Sequence, residues 1–178
     1  MPEAVVTLTE AAGRLASQSK GNHISGNETI SGRGAKLPPK RLIRVATALN
    51  VLGYRLSGGR LMNRLEGAPI CLVTMTGRKS GKRKTIALMY TPHGDDVLLV
   101  ASLGGAPSHP VWYYNLKAHP GIEIQVGSVR RRMVAREAPV DEKRALWPVV
   151  VANYRSFEDY QKRTTREIPL FVCAPAPA

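Results

Sequence analysis

The sequence predicts a mainly-β or α+β domain in which about six short strands form a barrel flanked by helices. After Gly67, apolar, β-prone runs follow one another, separated by turns rich in glycine and aspartate. Two or three segments with helical apolar spacing lie around them. The 178 residues, 43% hydrophobic and 22% charged, suit one globular domain with a substantial core.

Residues 1–37 differ in composition from the rest of the chain. They are rich in Gly, Ser, Asn and Thr, and residues 17–36 offer almost no apolar side chain for burial. We therefore expect a disordered or loosely attached segment, or a gene-start extension, followed by one domain over residues 38–178.

Pro38 and Pro39 open a helix predicted over residues 40–56, because proline is tolerated in the first helical turn. Its apolar residues recur at helical spacing: Leu42, Val45, Leu49, Leu52 and Leu56. Packing on the core is the first interpretation. A basic amphipathic helix making peripheral contact with the inner face of the plasma membrane is the alternative.

The remaining elements follow from short apolar runs and their turns. Strands are predicted over residues 68–76, 85–91, 97–101, 121–126, 130–138 and 168–174. Helices are predicted over residues 111–118, 141–154 and 157–163. A bend is expected at Pro148, and a hairpin turn at Gly127-Ser128.

The charge balance predicts an anionic partner. The chain has 26 Lys and Arg against 13 Asp and Glu, a net charge of +13. Nucleic acid, an acidic membrane surface, or a phosphorylated or carboxylated small molecule would each satisfy it. The start lacks secretory-signal features, and no apolar run is long enough to span a bilayer, so we expect a cytoplasmic protein. Cys71 and Cys173 lie in apolar runs and are predicted to be buried free thiols.

The densest chemical signal is a basic turn between two predicted strands. Five of the seven residues from Arg78 to Lys84 are basic, with Ser80 and Gly81 among them. Converging cations and a glycine-permitted close backbone approach are what a phosphate or polycarboxylate requires. A solvated hairpin tip is the alternative. Glycine spacing and the absence of Ser or Thr after the lysine exclude a Walker P-loop.

Two further segments are weaker signals. Glycines in residues 102–106, between a strand and a helix, can present N–H groups to an anion or a planar carbonyl, although a tight loop needs glycines in any case. The aromatic residues Tyr154, Phe157 and Tyr160 recur at three-residue spacing, which suits either a core or a hydrophobic pocket wall.

Several sites are absent from the sequence. The four histidines show no metal-ligand spacing, and we expect no metal. His109, before Pro110, is interpreted as shaping its loop. GxGxxG and GxSxG motifs are missing, which argues against a Rossmann dinucleotide site and an α/β-hydrolase nucleophile.

Taken together, the motifs resemble the deazaflavin (F420)-dependent nitroreductase and F420H2-dependent quinone reductase family, which has a split β-barrel fold related to FMN-binding proteins. The resemblance covers roughly residues 38–176. It rests on several motifs in order: Thr76-Gly77-Arg78-Lys79-Ser80-Gly81, Ala101-Ser102 with Gly104-Gly105-Ala106, Pro110 with Trp112-Tyr113 and Asn115-Leu116, Asp159-Tyr160-Gln161, and Ile168-Pro169.

The resemblance implies roles for individual residues. The phosphate and oligoglutamate tail of coenzyme F420 would be held by Arg78, Lys79, Ser80, Gly81 and Lys84. The deazaflavin ring would be bordered by Ala87, Leu88, Ser102, Leu103, Gly104, Gly105, Ala106, Trp112 and Asn115. Tyr154, Phe157 and Tyr160 would line the substrate pocket, with Tyr154 and Tyr160 as proton donors or orienting groups.

The chain also departs from the family pattern. Arg83-Lys84 stands where Pro-Arg is usual, Ala87 replaces a proline, and Leu103 replaces a lysine found in some members. Phe157 lacks a hydroxyl that relatives often carry, which weakens the expectation of nitro reduction more than that of tail binding.

The resemblance implies an oxidoreductase that transfers a hydride from reduced F420 to a quinone, nitro or other conjugated hydrophobic acceptor. The alternatives are an FMN-binding split-barrel oxidoreductase, a non-catalytic F420 carrier and a basic nucleic-acid-binding protein. Nucleic acid is the least expected partner, because the charge is concentrated on one turn without interleaved aromatics. The oligomeric state is left open.

Overall fold

The computed structural model describes residues 51–60, 63–65 and 67–177. The predictions for residues 1–37, and for the predicted helix before residue 51, lie outside these residues. Residues 51–56 are helical, as predicted for the end of that helix, and are called α1.

The rest of the described chain contains eight strands, three further α-helices and a short 3-10 turn at Leu103–Gly105. The strands are β1 (Arg64–Leu65), β2 (Ala68–Thr76), β3 (Arg83–Met89), β4 (Thr91–His93), β5 (Asp96–Val100), β6 (Gly121–Val126), β7 (Val129–Glu137) and β8 (Leu170–Pro175). The helices are α2 (Val111–Ala118), α3 (Val140–Asn153) and α4 (Ser156–Lys162).

All strand pairs are antiparallel, and the main sheet runs β3-β2-β6-β7-β8-β5-β4. The short β1 pairs with the start of β2. Tyr90 alone separates β3 from β4, which stand at opposite ends of this order. Because one residue joins the two ends, the sheet must curl back on itself. The predicted mainly-β split barrel with flanking helices is therefore confirmed.

Side chains of alternate strand residues fill the barrel interior. The interior cluster includes both cysteines: Cys71, Val73, Met75, Val97, Leu99, Leu116, Ile122, Ile124, Met133, Ala135, Phe171 and Cys173. Helix α2 packs on this cluster, with Trp112 and Tyr113 at 5.8 and 5.7 Å, centroid to centroid, from Phe171. Both thiols are free and buried. Burial raises the pKa of each, that of Cys173 to about 12.

Two smaller clusters lie on the outer face of the barrel. One forms where α3 and α4 pack on β5 and β8. The other lies under α1, where Val51 and Tyr54 contact Leu72. The Tyr54 hydroxyl donates to the carbonyl of Ile70 and accepts the N–H of Gly127, and so ties α1 to β2 and to the turn between β6 and β7.

The predicted elements are present with small differences in their limits. Strands β1 and β4 were not predicted, because two and three residues are too short for alternation to be visible. The ladder carries β3 back to Arg83, which pairs with Thr76. Helix α3 continues through Pro148. Val126 pairs with Val129 across the predicted Gly127-Ser128 turn, with Gly127 at a positive φ.

Candidate active site

The basic loop, residues 77–84, turns the chain from β2 into β3. The N–H of Gly77 donates to the carbonyl of Lys82 at 2.9 Å, and the Gly77 carbonyl accepts the N–H groups of Ser80 and Gly81 at 3.2 and 2.8 Å. A Cβ at Gly77 would lie 2.7 Å from Ser80 Oγ, and Gly81 has a φ of +63°. Two glycines therefore allow this tight turn.

The cations of the basic loop face the solvent. Arg78, Lys79, Lys82, Arg83 and Lys84 are all exposed. Among the described residues, the one ion pair made by these five cations joins Arg83 and Glu123 at 3.7 Å, with Arg83 exposed and Glu123 partly exposed. A pair this open to solvent contributes little stability. The loop thus concentrates positive charge that an anionic group would stabilise.

Helix α2 anchors the basic loop. The Asn115 Oδ1 accepts the N–H of Arg78 at 3.0 Å, and its Nδ2 donates to Met75 Sδ at 3.6 Å. The Arg78 guanidinium lies 5.2 Å from the centroid of the Tyr114 ring. Asn115, predicted to border the cofactor, is buried and fixes the position of the loop that carries Arg78.

The glycine loop, residues 102–106, has an uncommon backbone. Leu103, Gly104 and Gly105 have φ values of +47°, +63° and +83°. The N–H groups of Gly105 and Ala106 donate to the carbonyls of Ser102 and Leu103, which makes a left-handed turn. For a leucine, this conformation costs about 1–2 kcal/mol. The surrounding contacts must stabilise it.

Helix α4 packs directly on the glycine loop. A Cβ at Gly105 would lie 2.7 Å from the carbonyl oxygen of Tyr160 and 2.9 Å from Arg163 Cβ. Since backbone atoms cannot move aside as a flexible side chain can, only glycine fits this contact.

Arg166 supplies the strongest set of contacts to the glycine loop. Its Nε donates to the carbonyl of Ala106 at 2.8 Å, and its second terminal nitrogen donates to the carbonyls of Ala101 and Ser102 at 3.2 and 2.7 Å. The first terminal nitrogen lies 3.1 Å from His109 Nδ1. Burial lowers the pKa of Arg166, although a guanidinium stays charged in proteins.

His109 connects the two loops. Its ring stacks on Tyr113 at 4.3 Å and meets the edge of Tyr114 at 6.1 Å. Because arginine only donates, His109 Nδ1 must accept, which places the proton of the neutral ring on Nε2. Burial, and secondly the charge of Arg166, lower the pKa of His109. A chain of contacts thus runs from the basic loop through Tyr114 and His109 to Arg166 and the glycine loop.

Tyr154, Phe157 and Tyr160 lie together, as their spacing predicted. Their ring centroids are 5.0 to 6.3 Å apart, and the two tyrosine hydroxyls are hydrogen-bonded at 3.1 Å. All three side chains are buried in the cluster under α3 and α4. Tyr160 also contacts the glycine loop through its backbone. Their roles toward a substrate remain predictions.

Other predicted residues lie on several surfaces. Leu88 pairs with Cys71 and packs against the interior cluster, whereas Ala87 pairs with Leu72 and faces α1. Successive strand residues face opposite sides, so only one of these two side chains can border a given ligand ring. Trp112 points into the barrel core, and Ser102 is buried at the start of the glycine loop.

Sequence reasoning missed Arg166. The partners of Arg166 lie 57 to 65 residues earlier in the chain, so no local motif marks it. A groove of about 340 Å³ between α3 and α4 contains no residue of the two loops. Within the described ranges, no three His, Cys, Asp or Glu residues are grouped to hold a metal.

Comparisons of this chain with known proteins point to one family. The sequence profile of the F420H(2)-dependent quinone reductases matches residues 46–175. An F420H(2)-dependent quinone reductase of Mycobacterium tuberculosis is 41% identical over 136 residues, covering 74% of this chain and 89% of the relative.

Two solved structures are also similar. An F420-H2 dependent reductase has a TM-score of 0.56 at 40% identity, covering 59% of this chain and 93% of the other. A protein described as a domain-swapped dimer has a TM-score of 0.58 at 34% identity, covering 76% and 99%. The chain therefore belongs to the F420H(2)-dependent quinone reductase family, whose members are oxidoreductases that use coenzyme F420.

Proposed function

We propose that the basic loop holds the phosphate and oligoglutamate tail of coenzyme F420, while the glycine loop and the start of α2 border its deazaflavin ring. The contact chain from Arg78 through Tyr114 and His109 to Arg166 is the observation that supports this most. It puts an exposed cluster of cations and a glycine-rich turn beside the same helix. The exposed cations fit an anionic tail, and Gly104 has no side chain that would obstruct a planar ring beside the left-handed turn.

Bound reduced F420 would supply the hydride, and the protein's own residues would bind, orient and protect it. Arg78 and Lys79 attract the tail, and Asn115 keeps their loop against α2. The N–H groups of Gly105 and Ala106 close the turn, and the other backbone N–H groups of the glycine loop would favour negative charge on a carbonyl of the ring. The hydroxyls of Tyr154 and Tyr160 share a hydrogen bond. One of these hydroxyls, or a water molecule, would donate the proton that the acceptor takes up with the hydride.

The acceptor is a quinone or a related conjugated, hydrophobic molecule. Nitro compounds are the less favoured substrates, since Phe157 contributes no hydroxyl to the aromatic cluster. The rate at which reduced F420 is oxidised, followed at 420 nm, should be measured with a quinone and with a nitroaromatic at equal concentration. The two rates rank the two acceptor classes.

The decisive experiment is fluorescence titration of F420 with the wild-type protein and with Arg78→Ala/Lys79→Ala. Losing two tail contacts should weaken binding by about 100-fold or more, because hydrogen bonds to charged groups are each worth at least about 1.5 kcal/mol. Arg144→Ala/Lys162→Ala removes the same charge from exposed positions on α3 and α4 and should change affinity less than threefold. Equal weakening in both variants would contradict a specific tail site.

Measurements on the same purified protein distinguish two other functions. A split-barrel FMN enzyme would be yellow as purified and would retain FMN through dialysis. A non-catalytic carrier would bind F420 as the wild type does, yet leave reduced F420 unoxidised with every quinone tested.

Membrane contact through residues 40–56 is a further proposal. In its described part, Leu52 and Leu56 are 51% and 80% exposed, with the exposed Arg55 between them. No helix in the described residues has the length and hydropathy to cross a bilayer.

Co-sedimentation with vesicles tests this contact. Surface binding is supported if the protein sediments with vesicles that contain phosphatidylglycerol but not with phosphatidylcholine alone, and if Leu52→Ser/Leu56→Ser no longer sediments. Analytical ultracentrifugation of the purified protein without vesicles determines whether this chain dimerises.

A further inference from the structure

We propose that Arg166 is a positioning residue that holds the glycine loop in the conformation needed to border the cofactor ring, and that neutral His109 completes this clamp. We call Arg166, His109 and the three carbonyls the Arg166 clamp. The inference rests on the proposed function, since it assumes that the glycine loop borders the ring.

The geometry of the hydrogen bonds carries the first step. Arg166 contacts carbonyls on both sides of the left-handed turn, those of Ala101 and Ser102 before it and that of Ala106 after it. The turn between them contains Leu103, which disfavours a positive φ. One planar group therefore fixes both ends of a strained segment, and the turn cannot unwind without breaking these bonds.

The chemistry of guanidinium explains why arginine occupies this position. It offers five N–H donors in a rigid fork, and four of them have partners here. All four partners are neutral, so the group serves to organise the backbone and not to form an ion pair with a carboxylate. The compact lysine ammonium could satisfy at most some of these acceptors.

His109 makes the clamp sensitive to pH. Its Nδ1 accepts from Arg166 only while that nitrogen is unprotonated. Protonation would set an N–H against an N–H and one cation against another. The other groups that face the imidazole are the rings of Tyr113 and Tyr114, and the charge of Glu137 acts on it in the opposite sense to that of Arg166.

The test uses four variants of the full chain. Arg166→Gln should raise the dissociation constant for F420 by about tenfold or more, and Arg166→Lys should recover part of the loss. Arg144→Gln removes the same charge from an exposed site and should have no effect. His109→Phe keeps an aromatic ring against Tyr113 but removes the acceptor.

The pH profile separates positioning from a general structural role. Wild-type affinity should fall as the pH drops through the pKa of His109, and His109→Phe should lack this step while keeping every step that F420 itself contributes. Nitrogen-15 NMR of the cofactor-free protein should show His109 with its proton on Nε2. In Arg166→Gln, the His109 pKa should rise, because a nearby cation has been removed.

The outcomes distinguish this inference from the proposed function. If wild-type protein does not bind F420, the proposed function fails. If it binds, and Arg166→Gln matches Arg144→Gln in affinity, the positioning role is wrong while the function stands. If Arg166→Gln does not fold, two other measurements decide. A wild-type His109 with its proton on Nδ1 overturns the proposal, and so does a His109→Phe variant whose F420 affinity keeps the same pH step as the wild type.

Discussion

Gly105 combines two constraints at one residue. Its φ is +83°, and a Cβ there would meet the backbone of Tyr160. We expect Gly105→Ala to lower the free energy of unfolding by about 2 kcal/mol or more, and to weaken F420 binding as the loop shifts. Urea denaturation and F420 titration measure the two effects.

Gly94 provides the matched control for that change. It also has a positive φ, +59°, but nothing lies within 4 Å of a Cβ built on it. Gly94→Ala should therefore show only the backbone cost, about 1–2 kcal/mol, with F420 affinity unchanged. Equal stability loss and unaltered cofactor binding in both variants would show that the contact with α4 is unimportant.

Asn115 fixes the basic loop through a single acceptor. We expect Asn115→Ala to weaken F420 binding by about fivefold to tenfold, because the Arg78 N–H loses its partner and the loop loses one of its two attachments to α2. Met75→Leu, which removes only the sulfur contact, should leave the affinity close to wild type. Isothermal calorimetry with F420 measures both, and an unchanged affinity in Asn115→Ala would contradict the anchoring role.

Single residues show where sequence reasoning ends. Arg78 and Gly81 were recognised because their neighbours in the chain supply the signal. Asn115 was selected only by resemblance, and its contact with the Arg78 backbone depends on a helix 37 residues away. Arg166 could not be recognised, because a conformation imposed on distant carbonyls has no local pattern.

At the scale of elements, an ion pair joins strand β7 to helix α3. Arg136 donates two hydrogen bonds to Glu142, at 2.5 and 2.7 Å, which lowers the pKa of that carboxyl. A carboxyl whose folded pKa lies below its unfolded value stabilises the protein above the unfolded pKa, and this stabilisation is lost as the pH falls through the folded pKa.

The prediction from this pair is a pH-dependent loss of stability. Arg136→Met should lower the free energy of unfolding by about 0.5 kcal/mol at pH 7, since the pair is partly exposed. The difference from wild type should disappear once the pH falls below the ordinary carboxyl value of 4.5 and through the lower folded pKa. Arg144→Met, whose partner Asp141 is 92% exposed, is the control and should show no such difference in urea melts.

The elements themselves were predictable wherever an apolar period was long enough. Strand β2 and helix α2 were predicted with the limits that the structure shows. The aromatic cluster was predicted from spacing, but its burial under α3 and α4 depends on how the helices pack on the barrel. That packing is decided by long-range contacts with β5 and β8, which no window of sequence contains.

At the scale of the whole molecule, the charge excess of +13 predicts salt-dependent cofactor binding. Exposed cations on the basic loop are screened by salt, so the affinity for F420 should fall steadily as KCl rises from 50 to 500 mM, concentrations over which the Debye length falls from about 14 to 4 Å. Arg78→Ala/Lys79→Ala should show a shallower dependence. If affinity falls with salt equally steeply in the two proteins, the anionic tail lies away from this loop. Sucrose at matched osmolality controls for general solvent effects.

The fold and the coenzyme were predictable from the sequence because many independent signals agreed in order along the chain. The details of the site were less predictable, because they depend on the closure of the sheet. That closure brings Arg166, near the start of β8, against the loop that follows β5.

Burial of the two cysteines has a chemical consequence for a protein that reduces quinones. Quinones are electrophiles that arylate thiolates, and thiolate formation requires a proton to leave. Cys71 and Cys173 lie inside the barrel with raised pKa values, so neither presents a nucleophile to its own substrate. Peptide mapping after treatment with benzoquinone should therefore find no adduct at Cys71 or Cys173 in the folded enzyme, whereas the unfolded chain should gain adducts at both positions.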